Sequence, residues 1–271
     1  MQCVLTIAGS DSGGGAGIQA DLKTFAALGL FGTSAITAVT AQNTLGVTAV
    51  HVVPRDVVAA QIDAVVTDLR PAAVKIGMLS SPSIVEVVAE KLAEYRLDRV
   101  VIDPVMVAKS GDQLLRPEAV RTLVRLLLPL ATVLTPNLPE AEALLGRPVR
   151  TLAELEAAAH DIAALGPIAV VVKGGHSAGD PVDVLYTGGT VTHFPAARIV
   201  TRHTHGTGCT FSAAIAGYLA MGNSIPDAVG AAKRYLTGAI KHAPNLGSGH
   251  GPVDHGWQQR NPTVSGRERN A

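Results

Sequence analysis

A chain of 271 residues with 22 basic and 22 acidic side chains has no net charge at pH 7, which excludes a global field drawing it to nucleic acid or an anionic membrane. Any anion it binds must be held by local groups. Charged residues make up only 16%, which disfavours disorder and suits surface buried between subunits, and 47% hydrophobic residues with 3% aromatics imply an aliphatic core.

Short β-branched runs alternate with longer helical patterns, the signature of βαβ units and a largely parallel sheet. Residues 4–8 read as a strand, 9–17 as a loop, and 18–27 as a helix with Leu22, Phe25 and Ala26 on one face before Gly29 ends it. Strands follow at 34–41 and 47–53, Pro54 opens a helix carrying Val57, Val58, Ile62, Val65 and Val66, and 73–77 is the next strand. The alternation repeats: helix 82–95, strand 99–103, helix 117–128, strand 132–135, helices around Pro139 and Thr151, strand 168–173. Residues 182–187 and 190–194, separated by Gly188-Gly189, predict a hairpin that adds antiparallel strands at one sheet edge. Helices at 209–221 and 225–242 close the fold, which makes residues 1–257 a single domain. From residue 258 there is almost nothing to bury, so 258–271 is expected to be a disordered tail.

Cys3 and Cys209 make neither a disulfide framework nor a zinc spacing, and each reads first as a small buried hydrophobe. The first residues lack a basic segment and their apolar run ends at Ser10, unlike a signal peptide. Residues 24–54 hold no Asp, Glu, Lys or Arg but are interrupted throughout by Thr, Ser, Gln, Asn, Gly and His, unlike a membrane span. The expected compartment is the cytoplasm.

Ligands of a parallel α/β sheet sit beyond the carboxyl ends of its strands. Five such ends carry polar groups: Gly9-Ser10-Asp11, Gln42-Asn43, Asp103, Thr135-Pro136-Asn137 with Glu140, and Lys173-Gly174-Gly175-His176. His205-Gly206-Thr207-Gly208-Cys209 leads into a helix without a charged residue from 203 to 226. It reads either as a phosphate cradle of free amides at a helix start or as an ordinary glycine turn capped by Thr207. Residues 15–20 formally fit a dinucleotide loop, but no acidic residue follows about 20 positions on to bind ribose, and no Gly-Lys-Ser/Thr makes a P-loop. A substrate-contacting loop or a plain tight turn remains. Asp103 and Glu140 read singly as a helix cap or a solvated charge, and together, through their shared position at strand ends, as a Mg²⁺ site. Lys173 ends an apolar strand, as a solvated lysine or as an ammonium at the same edge.

These segments resemble bacterial hydroxymethylpyrimidine/phosphomethylpyrimidine kinases of thiamin biosynthesis, in the ribokinase-like superfamily. The resemblance rests on residues 5–11 with 14–23, Thr40-Ala41-Gln42-Asn43-Thr44, Lys75-Ile76-Gly77-Met78-Leu79, residues 135–141, Lys173-Gly174-Gly175-His176 and 204–209. It implies a three-layer α/β sandwich: a central, mostly parallel sheet with antiparallel edge strands and helices on both faces. It also implies ATP- and Mg²⁺-dependent phosphorylation of 4-amino-5-hydroxymethyl-2-methylpyrimidine and then of its monophosphate. A homodimer is the expected assembly, with no nucleic-acid or membrane partner.

By position, the resemblance gives the aminopyrimidine edge to Gln42, with Gly9, Asp11, Ala16, Met78 and Val105 on the substrate side. Asn137, Lys173 and Thr207 fall to ATP, Asp103 and Glu140 to the metal, and Gly206, Thr207, Gly208, Cys209 and Lys173 to transfer. Sugar kinases of the superfamily place an Asp base where this chain has Cys209, whose thiol is mostly protonated at neutral pH unless its helix start lowers it. The second step needs no base, because a phosphomonoester already presents an anionic oxygen. No aromatic belongs to the pocket set, so the ring is expected to be gripped without an aromatic stack; Phe25, Phe31, Phe211 and Tyr218 read as core. Pyridoxal or pyridoxine phosphorylation is the alternative within kinases. A non-catalytic metabolite-binding regulator would lose Asn137, Glu140, Lys173 or the cradle, and all are present.

Overall fold

The structure, a computed structural model, describes residues 1–106, 117–176 and 180–260. The chain runs β1 (Cys3–Asp11), α1 (Gly17–Ala27), β2 (Phe31–Gln42), β3 (Val47–Val52), α2 (Arg55–Leu69), β4 (Ala73–Ile76), α3 (Pro82–Glu94) and β5 (Val100–Ile102). It continues α4 (Pro117–Leu126), β6 (Val133–Leu134), α5 (Leu138–Leu145), α6 (Leu152–Ala163), β7 (Ala169–Val172), β8 (Val182–Thr187) and β9 (Thr190–Pro195). Then come α7 (Thr207–Ala220), α8 (Ile225–Lys241) and α9 (Trp257–Arg260).

Among the described residues nine strands share one sheet in the order β3-β2-β1-β4-β5-β6-β7-β8-β9. The six from β2 to β7 across the middle run parallel, so their carboxyl ends share one edge. The predicted hairpin supplies antiparallel β8 and β9, and β3 pairs antiparallel with β2 at the opposite edge, so antiparallel strands flank both sides rather than one.

The middle strands are buried on both faces and so read as unbroken apolar runs. Alternate residues feed two layers: Leu5 and Ile7 of β1 join the core beneath α2 to α6, while Val4 joins the one beneath α1, α7 and α8. Helix α7 is buried on most sides between sheet, α1 and α8, which explains its lack of charge. Phe25, Phe211, Tyr235 and Trp257 all go to this second core. The ends of most predicted elements shift by one or two residues.

Residues 258–260, expected to begin a tail, instead complete α9: Trp257 Nε1 donates to the Tyr235 carbonyl at 3.1 Å and Gln259 Nε2 to that of Ala27 at 2.6 Å. Residues 261–271 of the expected tail lie outside the described residues. Among the described residues no helix is long and apolar enough to cross a membrane.

Candidate active site

From β1 the chain moves to β2 on one side and later returns to β4 on the other, so the order of strands reverses between β1 and β4. Such a reversal opens a crevice at the carboxyl ends. Gly9 and Met78 meet across it: a Cβ added at Gly9 would stand 3.2 Å from Met78 Sδ, where the β1–β2 register shifts. Val105 lies close by on the next strand end, its amide 2.8 Å from the Asp103 carbonyl. Gln42 ends β2 just beyond a second register shift, with Oε1 accepting the Thr40 hydroxyl at 3.0 Å. Its backbone is tied to the N-terminal glycine loop through Ser12 Oγ, which donates to the Gln42 carbonyl at 2.7 Å and accepts its amide at 2.8 Å.

Asp11 spends its carboxylate inside the chain. Oδ1 accepts the Gly13 amide at 2.8 Å, and Oδ2 accepts those of Gly15 and Ala16 at 3.1 and 2.9 Å together with His205 Nε2 at 2.8 Å. Burial works against its charge, yet these donors, His205 foremost, hold it below the ordinary carboxylate range. The structure therefore gives Asp11 the work of shaping the loop around Ala16 and joining it to residues 204–207. His205, to which the sequence assigned no separate role, is the other half of that joint.

Helix α7 begins two residues earlier than expected, at Thr207, and its cap is Gly206 rather than Thr207. Gly206 has φ 80°, and a Cβ there would lie 1.8 Å from the Gly15 carbonyl oxygen, so only glycine lets the two loops touch. Among the described residues the amides of Gly208 and Cys209 bond to no acceptor, as the first turn of a helix leaves them. They open beside two of the candidate side chains: a Cβ added at Gly208 would be 3.2 Å from Asp103 Oδ2 and 3.4 Å from Lys173 Nζ.

Lys173 is not a solvated lysine. Its ammonium donates to Asp103 Oδ1 at 2.7 Å, and although burial opposes its charge, Asp103 and then Glu140 hold it above the ordinary value. Glu140 is buried, which together with Asp103 pushes its carboxyl up to about 7 against the pull of Lys173. Asn137 and Glu140 form a capping box on α5: Asn137 Oδ1 accepts the Glu140 amide at 2.9 Å and Glu140 Oε2 the Asn137 amide at 2.8 Å. The helix-cap reading thus holds for Glu140, which still faces Asp103, but not for Asp103, which accepts from Lys173 and the Thr135 hydroxyl. Burial pushes the Cys209 thiol up to about 11, with Lys75 opposing.

The segment after α8 straps the two loops down. His250 N donates to the Thr44 carbonyl at 2.9 Å beyond Gln42, and the Gly251 carbonyl accepts the His205 amide at 3.0 Å. One edge of the sheet therefore holds an open crevice, two free helix-start amides, one lysine and two carboxylates, a set suited to moving a phosphoryl group.

A family model described as phosphomethylpyrimidine kinase matches residues 11–254. A Bacillus subtilis hydroxymethylpyrimidine/phosphomethylpyrimidine kinase is 49% identical over 265 residues, covering 97% of this chain and 98% of its own. A thiamine biosynthesis bifunctional protein of Geobacter sulfurreducens is 53% identical over 253 residues, 93% of this chain, which spans only 52% of that longer protein. The crystal structure of an ADP complex of Bacillus subtilis pyridoxal kinase superposes with a TM-score of 0.90 at 42% identity, over 96% of this chain and 100% of that one. The chain belongs to the phosphomethylpyrimidine kinase family.

Proposed function

We propose that the protein transfers the γ-phosphoryl group of ATP to the hydroxymethyl oxygen of 4-amino-5-hydroxymethyl-2-methylpyrimidine, and in a second turnover to the resulting phosphate, giving the diphosphate. The observation that carries this reading is the close approach of Gly208, in the first turn of α7, to the paired Asp103 and Lys173 side chains. In each step the acceptor oxygen bonds to the γ-phosphorus as the bond to the ADP oxygen breaks. The amides of Gly208 and Cys209 receive the charge spread over the transferring oxygens, and Lys173 approaches the ATP phosphates with Asn137 at the neighbouring strand end and Thr207 at the start of α7. Gln42 reads the aminopyrimidine edge while Gly9, Ala16, Met78 and Val105 enclose the ring.

Asp103 and Glu140, held around the same lysine, form a two-carboxylate set of the kind that takes Mg²⁺ together with water and nucleotide oxygens. Bound there, the ion would neutralise charge on the transferring phosphates.

Incubating the protein with ATP, Mg²⁺ and the hydroxymethylpyrimidine should yield the monophosphate first and the diphosphate after it. Turnover of pyridoxal without turnover of the pyrimidine would overturn the assignment. That second reading, a pyridoxal kinase, has support in the superposition on the Bacillus subtilis enzyme. Competition between the two acceptors at equal concentration decides between single and dual use.

We also infer a homodimer formed through β3, an edge strand exposed along its length with Val50 and Val52 bare on one face and Leu45 bare in the turn before it. Light scattering after gel filtration should give twice the chain mass, falling to one on Val50→Glu. Two free cysteines with partial exposure suit a reducing, cytoplasmic setting.

A further inference from the structure

The one charged residue of β8 is Asp183. It stands two positions before Leu185, which joins the core under α1, α7 and α8, so its side chain points into the same helical layer. There Lys233 of α8 donates to Oδ2 at 2.6 Å, the two side chains being 6% and 12% exposed. The other oxygen, Oδ1, accepts the Gly174 amide at 2.9 Å. The ladder between β7 and β8 ends with Val172 opposite Val184, so Lys173 and Gly174 lie past it. Lys173 N donates to the Pro136 carbonyl beyond β6 at 2.8 Å. The amides before and after the Lys173 Cα are thus tied to the strands on either side of β7. A Cβ added at Gly174 would stand 2.0 Å from the Val182 carbonyl oxygen, so the chain lies flush on β8 where only glycine fits. From this fixed stem the Lys173 ammonium reaches Asp103.

A largely buried ion pair is weak evidence of a stabilising role, because a well-packed apolar pair of similar volume is often as stable or more so. What an apolar pair cannot supply is an acceptor for a backbone amide that has run past its ladder. Without that acceptor the peptide between Lys173 and Gly174 is free to turn, and a long lysine side chain carries any turn of its own peptide out to its tip. Lys233 holds the carboxylate from the side away from Gly174, so that both oxygens of Asp183 are engaged and its orientation is fixed.

We propose that Asp183, anchored by Lys233, is a positioning residue for the nucleotide: by holding the Gly174 amide it fixes the peptide that follows Lys173 and keeps that ammonium where the ATP phosphates lie. The inference rests on the kinase reading above. Lys173 meets the same donor in both phosphorylations, so Asp183 matters equally to the two steps. The acceptor pocket, with Gln42 and Met78 at the ends of β2 and β4, lies on the other side of Asp103 and does not depend on it.

Two replacements of the pair separate positioning from stability. Asp183→Leu/Lys233→Met keeps the volume and removes the acceptor, whereas Asp183→Asn/Lys233→Gln is equally uncharged but leaves an amide oxygen for Gly174. Thermal melts check folding, exchange of the Gly174 amide is followed by NMR, and ATP and acceptor kinetics are measured separately for each step. The apolar pair should speed Gly174 exchange and lower kcat/KM for ATP by about tenfold in both steps, with the pyrimidine KM at saturating ATP moving by less than about twofold. The amide pair should stay within about threefold of the parent in every measurement. Unchanged exchange or ATP kinetics in a folded apolar variant, an equal rise in the pyrimidine KM, or an amide pair that fails as badly as the apolar one overturns the proposal. So does failure of the apolar pair to fold, which would make the contact structural. If the parent protein phosphorylates neither acceptor the kinase reading falls instead, and the exchange rates still judge the hold of Asp183 on Gly174.

Discussion

Gly206→Ala puts the joint between the two glycine loops under direct test. The new methyl carbon would start 1.8 Å from the Gly15 carbonyl oxygen, and since such a carbon and oxygen need about 3.3 Å, the loops must part by about 1.5 Å. The left-handed backbone at φ 80° adds roughly 1–2 kcal/mol of strain for any L side chain. Gly222 supplies the control: its φ is 91° but a Cβ there meets nothing within 4 Å, so Gly222→Ala carries strain without displacement. In thermal melts Gly222→Ala should show the strain alone and Gly206→Ala at least as large a loss. Only Gly206→Ala should lose catalysis, because shifting a positioning loop by about 1 Å costs on the order of 10²-fold in rate, about 2.7 kcal/mol of barrier. The assay is steady-state kcat for each acceptor at saturating ATP. A folded Gly206→Ala protein working within about threefold of the parent rate would refute the placement of the cradle.

Cys209→Ala should slow phosphorylation of the hydroxymethyl acceptor more than that of the monophosphate, and equal losses would remove any special part for the thiol in the first step. Gln42→Ala should raise the pyrimidine KM while leaving the ATP KM nearly unchanged; a joint rise would make Gln42 a structural link between Thr40 and the loop. His255 is buried with Nε2 unpartnered among the described residues, and burial pulls its pKa down to about 4. A depressed pKa gives stability that is full above the ordinary value of 6.5 and lost as pH falls toward 4. Between pH 7 and pH 5 this removes about 2 kcal/mol, and urea midpoints at the two pH values should show a smaller fall in His255→Gln than in the parent.

Much of the layering was legible because it depends on local pattern. Parallel strands with both faces covered must be apolar at nearly every position, so 100–102 and 169–172 stand out without any partner being known. The rule that polar groups gather at strand ends also singled out Asp103, Glu140 and Lys173, and the structure brings those three together. What stayed hidden depends on partners far along the chain. Asp11 meets His205 across 194 residues and Lys75 meets Asp21 across 54, and no periodicity encodes either pair. A lysine inside an apolar strand was the available signal for the second. The early start of α7 was missed because its cap is a left-handed glycine, which carries no side-chain marker. The fate of 258–260 turned on side-chain bonds from Gln259 back to Ala27 and from Arg260 to Asp254, neither of which a local pattern announces.

The strap from α8 to α9 sets an order in time. Gly249 N reaches Thr44 Oγ1 across 205 positions, and residues 250–252 support the loop that carries His205. During synthesis the pyrimidine crevice at the ends of β1 and β2 must therefore wait, half built, for the last part of the fold to leave the ribosome. Contacts of such long separation form late and slowly. A protein shortened to end just after α8 would keep every proposed catalytic side chain and both cores' strands, and yet would leave its substrate loops without the brace that closes them.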